Sequence, residues 1–161
     1  MLNVPYFRQS DDSLCGTASL RMVFAYYGHH YTEEEISKLC NHTYEFGCTN
    51  EDMKRAAISL GFDCYIKDKA ELSDIKEQIK LGNPVIVDWF CGDLPDGHAS
   101  VVVGIDGKFI YILDPLVEDV REIELEDFYR IWFDFLETPI TPLNLTVRQL
   151  IVINRKQAKQ H

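Results

Sequence analysis

The hydrophobic periodicity of the chain changes at Gly82-Asn83-Pro84, and this change constrains the fold more than any other feature. Before these residues, apolar side chains recur mainly at three- and four-residue steps, which is typical of amphipathic helices. After them, stretches rich in β-branched residues, such as Val85 to Phe90, are bounded by turn residues, which is typical of strands. Because helices come first and strands later, the sequence predicts an α+β fold with a helical half packed on a mostly antiparallel β-sheet.

Four helices and one strand are predicted in the first half of the chain. The helices begin near Cys15, after Thr32, at Glu51 and near Ser73, and the strand covers Phe62 to Lys67. Thr32 and Glu35 have the spacing of a capping box. Asn50 is expected to cap the third helix, and Gly28 and Gly61 suit the ends of the first and third helices.

The strongest hairpin signal lies in the second half, where Asp106-Gly107 separates two β-branched runs. The predicted elements are strands from His98 to Ile105 and Lys108 to Leu113, a helix from Glu126 to Phe135, and a last strand from Thr146 to Asn154. Residues 155–161 are expected to be frayed. Because 161 residues can build one sizeable core, residues 1–161 are expected to form a single domain.

The charge of the chain limits its partners. Sixteen basic and 26 acidic side chains give a net charge of −10, which argues against nucleic acid or an anionic membrane surface. A basic peptide or a cationic small molecule remains compatible with this charge. We find no apolar stretch long enough to span a bilayer and no signal peptide, so the expected location is the cytoplasm.

The five cysteines do not form a disulfide or zinc pattern. They never occur as a Cys-x-x-Cys pair, and their number is odd. Cys40, His42 and Cys48 could be considered as metal ligands, but their spacing fits no common zinc motif. We therefore predict no metal site and no cofactor.

Cys15 is the cysteine with a candidate chemical role. It stands at or near the first turn of the first predicted helix, where unpaired backbone N–H groups and the helix dipole favour an anion. A thiol there should ionise more readily, and the thiolate is the nucleophilic form. At this point Cys15 is either an activated nucleophile or an ordinary small apolar residue.

A cysteine nucleophile needs a base, a group that orients the base, and donors for an oxyanion. His98 opens a β-branched strand, so a rigid element can hold its ring. Asp114 ends the second strand of the same hairpin, which folds back beside the start of the first and brings a carboxylate next to the imidazole. Gln9, six residues before Cys15, could donate to the oxyanion together with the Cys15 N–H. Taken singly, each could be a structural residue.

These residues carry a resemblance to a known family. Gln9-x5-Cys15-Gly16, Gly97-His98-Ala99 and Leu113-Asp114-Pro115, in this order, resemble the motifs of the bacteriocin-processing cysteine peptidases. These are papain-like domains found at the N-terminus of peptidase-containing ABC transporters and as stand-alone relatives. Glu126-Asp127-Phe128 with Trp132 is similar to a downstream segment of the family, so the resemblance covers almost the whole chain.

The resemblance implies a papain-like cysteine proteinase fold and a role for each motif residue. Cys15 would be the nucleophile, His98 the general base and acid, Asp114 the orienting carboxylate, and Gln9 the oxyanion donor. Family members cut leader peptides after a small double-glycine pair. The implied function is a cysteine peptidase that acts on a peptide or protein through an acyl-enzyme, without metal or cofactor.

Two alternatives remain open at this level. The same triad could transfer the acyl group to an amine or thiol, as in transglutaminase-like enzymes, or the domain could bind peptides without catalysis. No transporter segment follows in this sequence, so recruitment of the substrate by a membrane partner is not expected to be encoded in it.

Several acidic residues lie close to the motifs. Asp11, Asp12, Asp93 and Asp96 predict a negative rim, which suits a substrate with basic residues. Because exposed charges are screened by water, a thiolate–imidazolium pair between Cys15 and His98 is still predicted at neutral pH. Asp88 interrupts an apolar strand and, if buried, requires a partner.

Overall fold

The structure is a computed structural model that describes residues 1–92, 97–135 and 141–157. The helices of this part of the chain are α1 (Cys15–Tyr26), α2 (Glu33–Leu39), α3 (Asn50–Ser59), α4 (Leu72–Lys80) and α5 (Leu125–Ile131). Its strands are β1 (Phe62–Lys67), β2 (Val85–Trp89), β3 (His98–Ile105), β4 (Phe109–Leu113), β5 (Val120–Glu124), β6 (Phe133–Phe135), β7 (Leu145–Val147) and β8 (Leu150–Arg155). No helix among the described residues is long and apolar enough to cross a membrane.

The strands form a six-stranded sheet and a small two-stranded sheet. The larger sheet has the order β1-β8-β2-β3-β4-β5, and each neighbouring pair is antiparallel. The smaller sheet pairs β6 with β7. The predicted α+β class with a mostly antiparallel sheet is therefore confirmed.

The larger sheet is covered by helices on both faces. One core cluster joins α1, α2 and α3 to the face that includes Ile86, Val101 and Ile151. A second cluster joins α4 and α5 to the opposite face, which includes Val87 and Val102. Central strands buried on both faces read as continuous apolar runs, and all five residues of β2 are buried.

The hairpin of β3 and β4 follows its sequence signal closely. The Asp106 carboxylate accepts hydrogen bonds from the backbone N–H groups of Lys108 and Phe109, both at 2.7 Å, and closes the turn. Because Val101 pairs with Leu113, the start of β3 lies beside the end of β4. This register places the first residues of β3 and the last residues of β4 side by side at the open end of the hairpin.

The start of α2 agrees with the sequence prediction, and the start of α3 differs from it. Thr32 and Glu35 form the predicted capping box of α2, but α3 is capped by Thr49 rather than by Asn50. Asn50 becomes the first helical residue because the Thr49 hydroxyl accepts the N–H of Asp52 at 3.1 Å. The Asn50 side chain is thereby available for contacts elsewhere.

The C-terminal third contains strands that the sequence pattern did not predict. β5 was missed, and the helix expected over Glu126 to Phe135 ends at Ile131 and is followed by β6. The expected last strand is divided in two at Arg148, whose φ of 49° breaks the extended conformation. β8 extends to Arg155 because this residue pairs with Phe62 of β1, and its guanidinium donates to the Tyr27 carbonyl at 2.8 Å. Residues 158–161 of the predicted tail lie outside the described residues.

Candidate active site

Cys15 is the first residue of α1, as the sequence predicts. The preceding residue, Leu14, occupies the N-cap position, and no described side chain caps this end of the helix. The N–H groups of the first turn therefore remain as donors beside the thiol. Gly16 permits close packing here, since a β-carbon at this position would lie 3.2 Å from the sulfur of Met53.

His98 and Asp114 lie in direct contact at the open end of the β3–β4 hairpin. His98 Nε2 is 2.5 Å from Asp114 Oδ1, and both side chains are completely buried. His98 Nδ1 is also buried and has no hydrogen-bond partner among the described residues. Because Asp114 takes Nε2, Nδ1 is the ring nitrogen that is available to Cys15.

The surroundings of His98 favour its protonated form. Burial acts to lower its pKa, but the hydrogen bond to Asp114 and the influence of the nearby Cys15 outweigh burial and raise the pKa to about 10. Burial likewise acts against the Asp114 carboxylate, yet its contact with His98 lowers its pKa below the usual value. The geometry thus supports an imidazolium between a thiol and a carboxylate.

Two further residues adjoin the His98–Asp114 pair, and sequence reasoning did not connect one of them, Arg121, with the site. Arg121 Nε lies 2.6 Å from Asp114 Oδ2, so it forms an ion pair with the second oxygen of the carboxylate. The Trp89 ring lies 6.0 Å from the His98 ring at 64°. Arg121 and Ile123 are half-buried between exposed residues of β5, but the apolar residues of this strand, Val120 and Ile123, do not alternate in the sequence, so no sequence signal indicated Arg121.

Gln9 is buried and tied to the loop that follows Asp114. Its backbone N–H donates to the Pro115 carbonyl at 3.0 Å, and its side-chain Nε2 donates to the Asp11 carbonyl at 2.7 Å. The side chain is only 4% exposed, which differs from an ordinary surface glutamine. One N–H of the amide group donates to the Asp11 carbonyl, and the buried Oε1 has no hydrogen-bond partner among the described residues.

The buried Asp88 carboxylate has a hydrogen-bond partner, as its burial requires. Its carboxylate accepts a hydrogen bond from Asn50 Nδ2, which also donates to Gln149. Burial first, and then the nearby charge of Asp134, raise the pKa of Asp88 to about 7. Asn50 therefore has a polar role at this site rather than the capping role that the sequence suggested.

The segment before His98 is fixed by Asp134. Asp134 Oδ1 accepts the backbone N–H of Gly97 at 2.9 Å and that of Phe135 at 2.6 Å. A β-carbon at Gly97 would overlap the Asp134 carboxylate, so glycine is required by this close approach. The contact explains why a glycine directly precedes His98.

The acidic rim is only partly within the described residues. Asp11 and Asp12 are exposed, and Asp11 accepts the N–H and the hydroxyl of Ser13, at 2.8 Å and 2.5 Å. Asp11 therefore has a turn-forming role as well as a charge. Asp93 and Asp96 lie outside the described residues.

The other cysteines are part of the packing. Cys40 is fully buried in the cluster on the α1 face, and Cys48 and Cys64 pack against this cluster. A hydrogen bond to Cys40 and burial raise the pKa of the Cys48 thiol. Cys91 packs against the cluster on the opposite face of the sheet. His42, considered above as a metal ligand together with Cys40 and Cys48, contacts the Ser13 hydroxyl through Nε2 at 2.8 Å. Among the described residues, no group of histidine, cysteine and acidic side chains is arranged to hold a metal ion.

The arrangement has the parts that acyl transfer through sulfur requires. A thiol at a helix start influences the pKa of an imidazole, a buried carboxylate contacts the imidazole, and a buried side-chain amide lies on the segment before the helix. Such a constellation can attack a carbonyl carbon and protonate a leaving amine.

Comparison with protein families gives a match over most of the chain. Residues 1–137 match the model of the Peptidase_C39 like family. The transport/processing ATP-binding protein ComA of Streptococcus pneumoniae is 34% identical over 114 residues, which is 68% of this chain and 15% of ComA. The chain therefore corresponds to a small part of the length of this relative.

Two solved structures share the fold along nearly their whole length. The peptidase domain of Streptococcus ComA, described as a bi-functional ABC transporter involved in a quorum sensing pathway, matches with a TM-score of 0.72 and 25% identity. This match covers 93% of this chain and 97% of that domain. A double glycine motif protease from an AMS/PCAT transporter, in complex with its leader peptide, matches with a TM-score of 0.71 and 23% identity, covering 96% and 94% of the two chains.

Proposed function

Because the chain belongs to the Peptidase_C39 like family and is a cysteine peptidase, we propose that Cys15, His98 and Asp114 form its catalytic triad. The observation that carries this proposal is the buried His98 ring, which contacts Asp114 at 2.5 Å through Nε2 and leaves Nδ1 for the sulfur. Its raised pKa favours a protonated ring beside a thiolate. Such a pair provides both the nucleophile and the proton that the reaction needs.

The reaction proceeds in two steps. The Cys15 thiolate attacks the substrate carbonyl carbon and forms a tetrahedral intermediate, whose oxyanion accepts hydrogen bonds from the Gln9 amide and the Cys15 N–H. His98 gives its proton to the leaving amine as the C–N bond breaks, and this leaves a thioester on Cys15. His98 then takes a proton from water, which attacks the thioester and restores the free thiolate.

The substrate class follows from the family and the charge. The likeness to a double glycine motif protease bound to a leader peptide supports a peptide with a small Gly-Gly pair before the cut. The net charge of −10 and the exposed Asp11 and Asp12 near the nucleophile favour peptides with basic residues. We therefore propose Gly-Gly leader peptides with basic residues as substrates.

The test uses synthetic peptides that contain a Gly-Gly pair and differ only in lysine or glutamate residues around it. Mass spectrometry of the products is compared for the wild type, Cys15→Ser and Cys64→Ser, since Cys64 is a half-buried thiol on β1. Cleavage after Gly-Gly by the wild type and Cys64→Ser, abolished in Cys15→Ser, is the expected result. Undiminished cleavage by Cys15→Ser would overturn the proposed triad.

The same assay separates hydrolysis from acyl transfer. Added hydroxylamine or a peptide amine competes with water for the thioester, and the acceptor is identified by the mass of the product. We expect the free carboxylate to remain the main product at millimolar amine. A product dominated by the amine adduct would instead assign the enzyme to the acyltransferases.

A further inference from the structure

The Asp114 carboxylate is held at both oxygens. Oδ1 contacts His98 Nε2 at 2.5 Å and accepts the Leu116 N–H at 2.9 Å. Oδ2 lies 2.6 Å from Arg121 Nε. Because the carboxylate is completely buried, an oxygen without a partner there would be costly. Oδ2 has no hydrogen-bond partner among the described residues, so the ion pair with Arg121 is the contact that compensates its charge.

The register of the sheet brings Arg121 to this position. β5 pairs with β4 so that Arg121 lies opposite Ile112, two residues before Asp114. The Arg121 side chain is 31% exposed and can reach diagonally along the adjacent strand to the buried carboxylate. The ion pair therefore links β5 to the end of the hairpin that carries Asp114.

Arg121 also contacts the aromatic side chain beside the histidine. Its guanidinium carbon lies 5.7 Å from the centre of the Trp89 ring, within the range of a cation–π contact. Trp89 is fixed in turn, since its Nε1 donates to the Ser100 hydroxyl at 3.0 Å. Arg121 thus touches both groups that adjoin His98.

We propose that Arg121 is a positioning residue that orients His98 through Asp114. It prevents rotation of the carboxylate, so that Oδ1 stays directed at His98 Nε2. It also balances charge: with a Cys15 thiolate, a His98 imidazolium and an Asp114 carboxylate, the guanidinium brings the net charge of these four groups to zero. This inference rests on the proposed function of the triad.

The alternative is an ion pair that only stabilises the fold, and a matched arginine separates the two cases. Arg148 is 20% exposed, pairs with Glu71 at 3.2 Å and lies 4.9 Å from the Tyr129 ring centre. Arg148 thus has an ion pair and a cation–π contact, as Arg121 does. These contacts join the residue after β7 to Glu71 before α4 and to Tyr129 on α5, and not to the proposed triad. Arg148→Gln is therefore the control for Arg121→Gln, and Arg121→Lys retains the charge without the planar fork.

The experiment measures kcat and KM on the Gly-Gly peptide that the wild type cuts fastest, on variants shown to be folded by thermal melting. We expect Arg121→Gln to lower kcat roughly 10- to 100-fold at unchanged KM, the scale of a displaced catalytic group. Arg121→Lys should recover part of this loss, and Arg148→Gln should keep wild-type kcat. Equal kcat for Arg121→Gln and Arg148→Gln would overturn the inference.

A second readout does not depend on any peptide. The alkylation rate of Cys15 by iodoacetamide at pH 6.5 and the far-downfield proton signal of the short His98–Asp114 hydrogen bond both report the geometry of the pair. The alkylation rate and the downfield chemical shift of this proton should both decrease in Arg121→Gln and stay unchanged in Arg148→Gln. If wild-type Cys15 reacts as a free thiol, the proposed function fails; if it is activated equally in Arg121→Gln, only the role of Arg121 fails.

Discussion

At the scale of single residues, the pKa values of the site residues result from opposing effects of burial and of contacts with neighbouring groups. Burial alone would deprive His98 of its proton, yet the contacts with Asp114 and Cys15 raise its pKa to about 10. The same burial acts on Asp88, where only Asn50 and the distant His98 oppose it, and there the pKa rises to about 7. The pKa of each residue depends on the balance between burial and its charged and hydrogen-bonded partners.

Removal of the Asp114 charge is the first test at this scale. In Asp114→Asn the largest remaining influence on His98 is burial, which lowers its pKa, so the alkaline limb of kcat/KM should move from near pH 10 to a lower pH. We expect kcat to fall on the order of 100-fold as well. The pH profile measures this, and an alkaline limb that stays in place would contradict the assigned role of Asp114.

The sequence indicated the triad residues because each stands at the end of a locally coded element. Cys15 begins a helix, His98 begins a strand, and Asp114 follows the partner strand of the same hairpin. Arg121 could not be placed in the same way, since its contact depends on the pairing of β4 with β5. The role of Asn50 was misassigned because Thr49 and Asn50 are both good capping residues.

At the scale of elements, the position of His98 depends on Gly97, the residue that leads into β3. Gly97 lies directly against the Asp134 carboxylate of β6, which fixes the start of the strand that carries His98. This links the small sheet of β6 and β7 to the site. β6 itself has only three residues and forms through pairing with β7, so a local pattern over Glu126 to Phe135 could not separate it from the preceding helix.

A methyl group at Gly97 tests this link. Gly97→Ala should lower the free energy of unfolding by about 1–3 kcal/mol and reduce activity, because the added carbon overlaps Asp134. Gly107→Ala, in the turn at the other end of β3, meets no described atom within 4 Å and is the control. Urea unfolding and kcat measure both effects, and the double variant with Asp134→Ala should recover part of the stability. Wild-type stability and activity in Gly97→Ala would refute the link.

At the scale of the whole molecule, several groups make the folded state bind protons more strongly than the unfolded chain. His98 has its pKa raised from 6.5 to about 10, Asp88 from 3.8 to about 7, and Cys64 from 9.0 to about 11 by burial. Each of these contributions is present below the unfolded value and is lost as the pH rises through the folded value. The net charge of −10 acts in the same direction, since deprotonation increases self-repulsion.

Because a thiolate–imidazolium pair holds one proton, as the unfolded thiol and neutral imidazole do between about pH 6.5 and 8.5, the contribution of this pair to the free energy of unfolding should be lost mainly between about pH 8.5 and about pH 10. Urea midpoints at pH 6, 8 and 9.5 measure this loss. The slope should be smaller in His98→Gln, whereas Cys64→Ser should leave the slope between pH 6 and 8 unchanged. A midpoint that rises with pH in the wild type would show that the folded state does not retain these protons.

The most direct test of the central claim is the alkylation rate of Cys15 by iodoacetamide as a function of pH, followed by mass spectrometry of the peptide that contains Cys15. If His98 holds a proton beside the sulfur, the wild type should react fast already at pH 6 to 7, while His98→Gln should react only when a free thiol ionises. A wild-type rate that rises only above about pH 8.5, the value of a free thiol, would contradict the account.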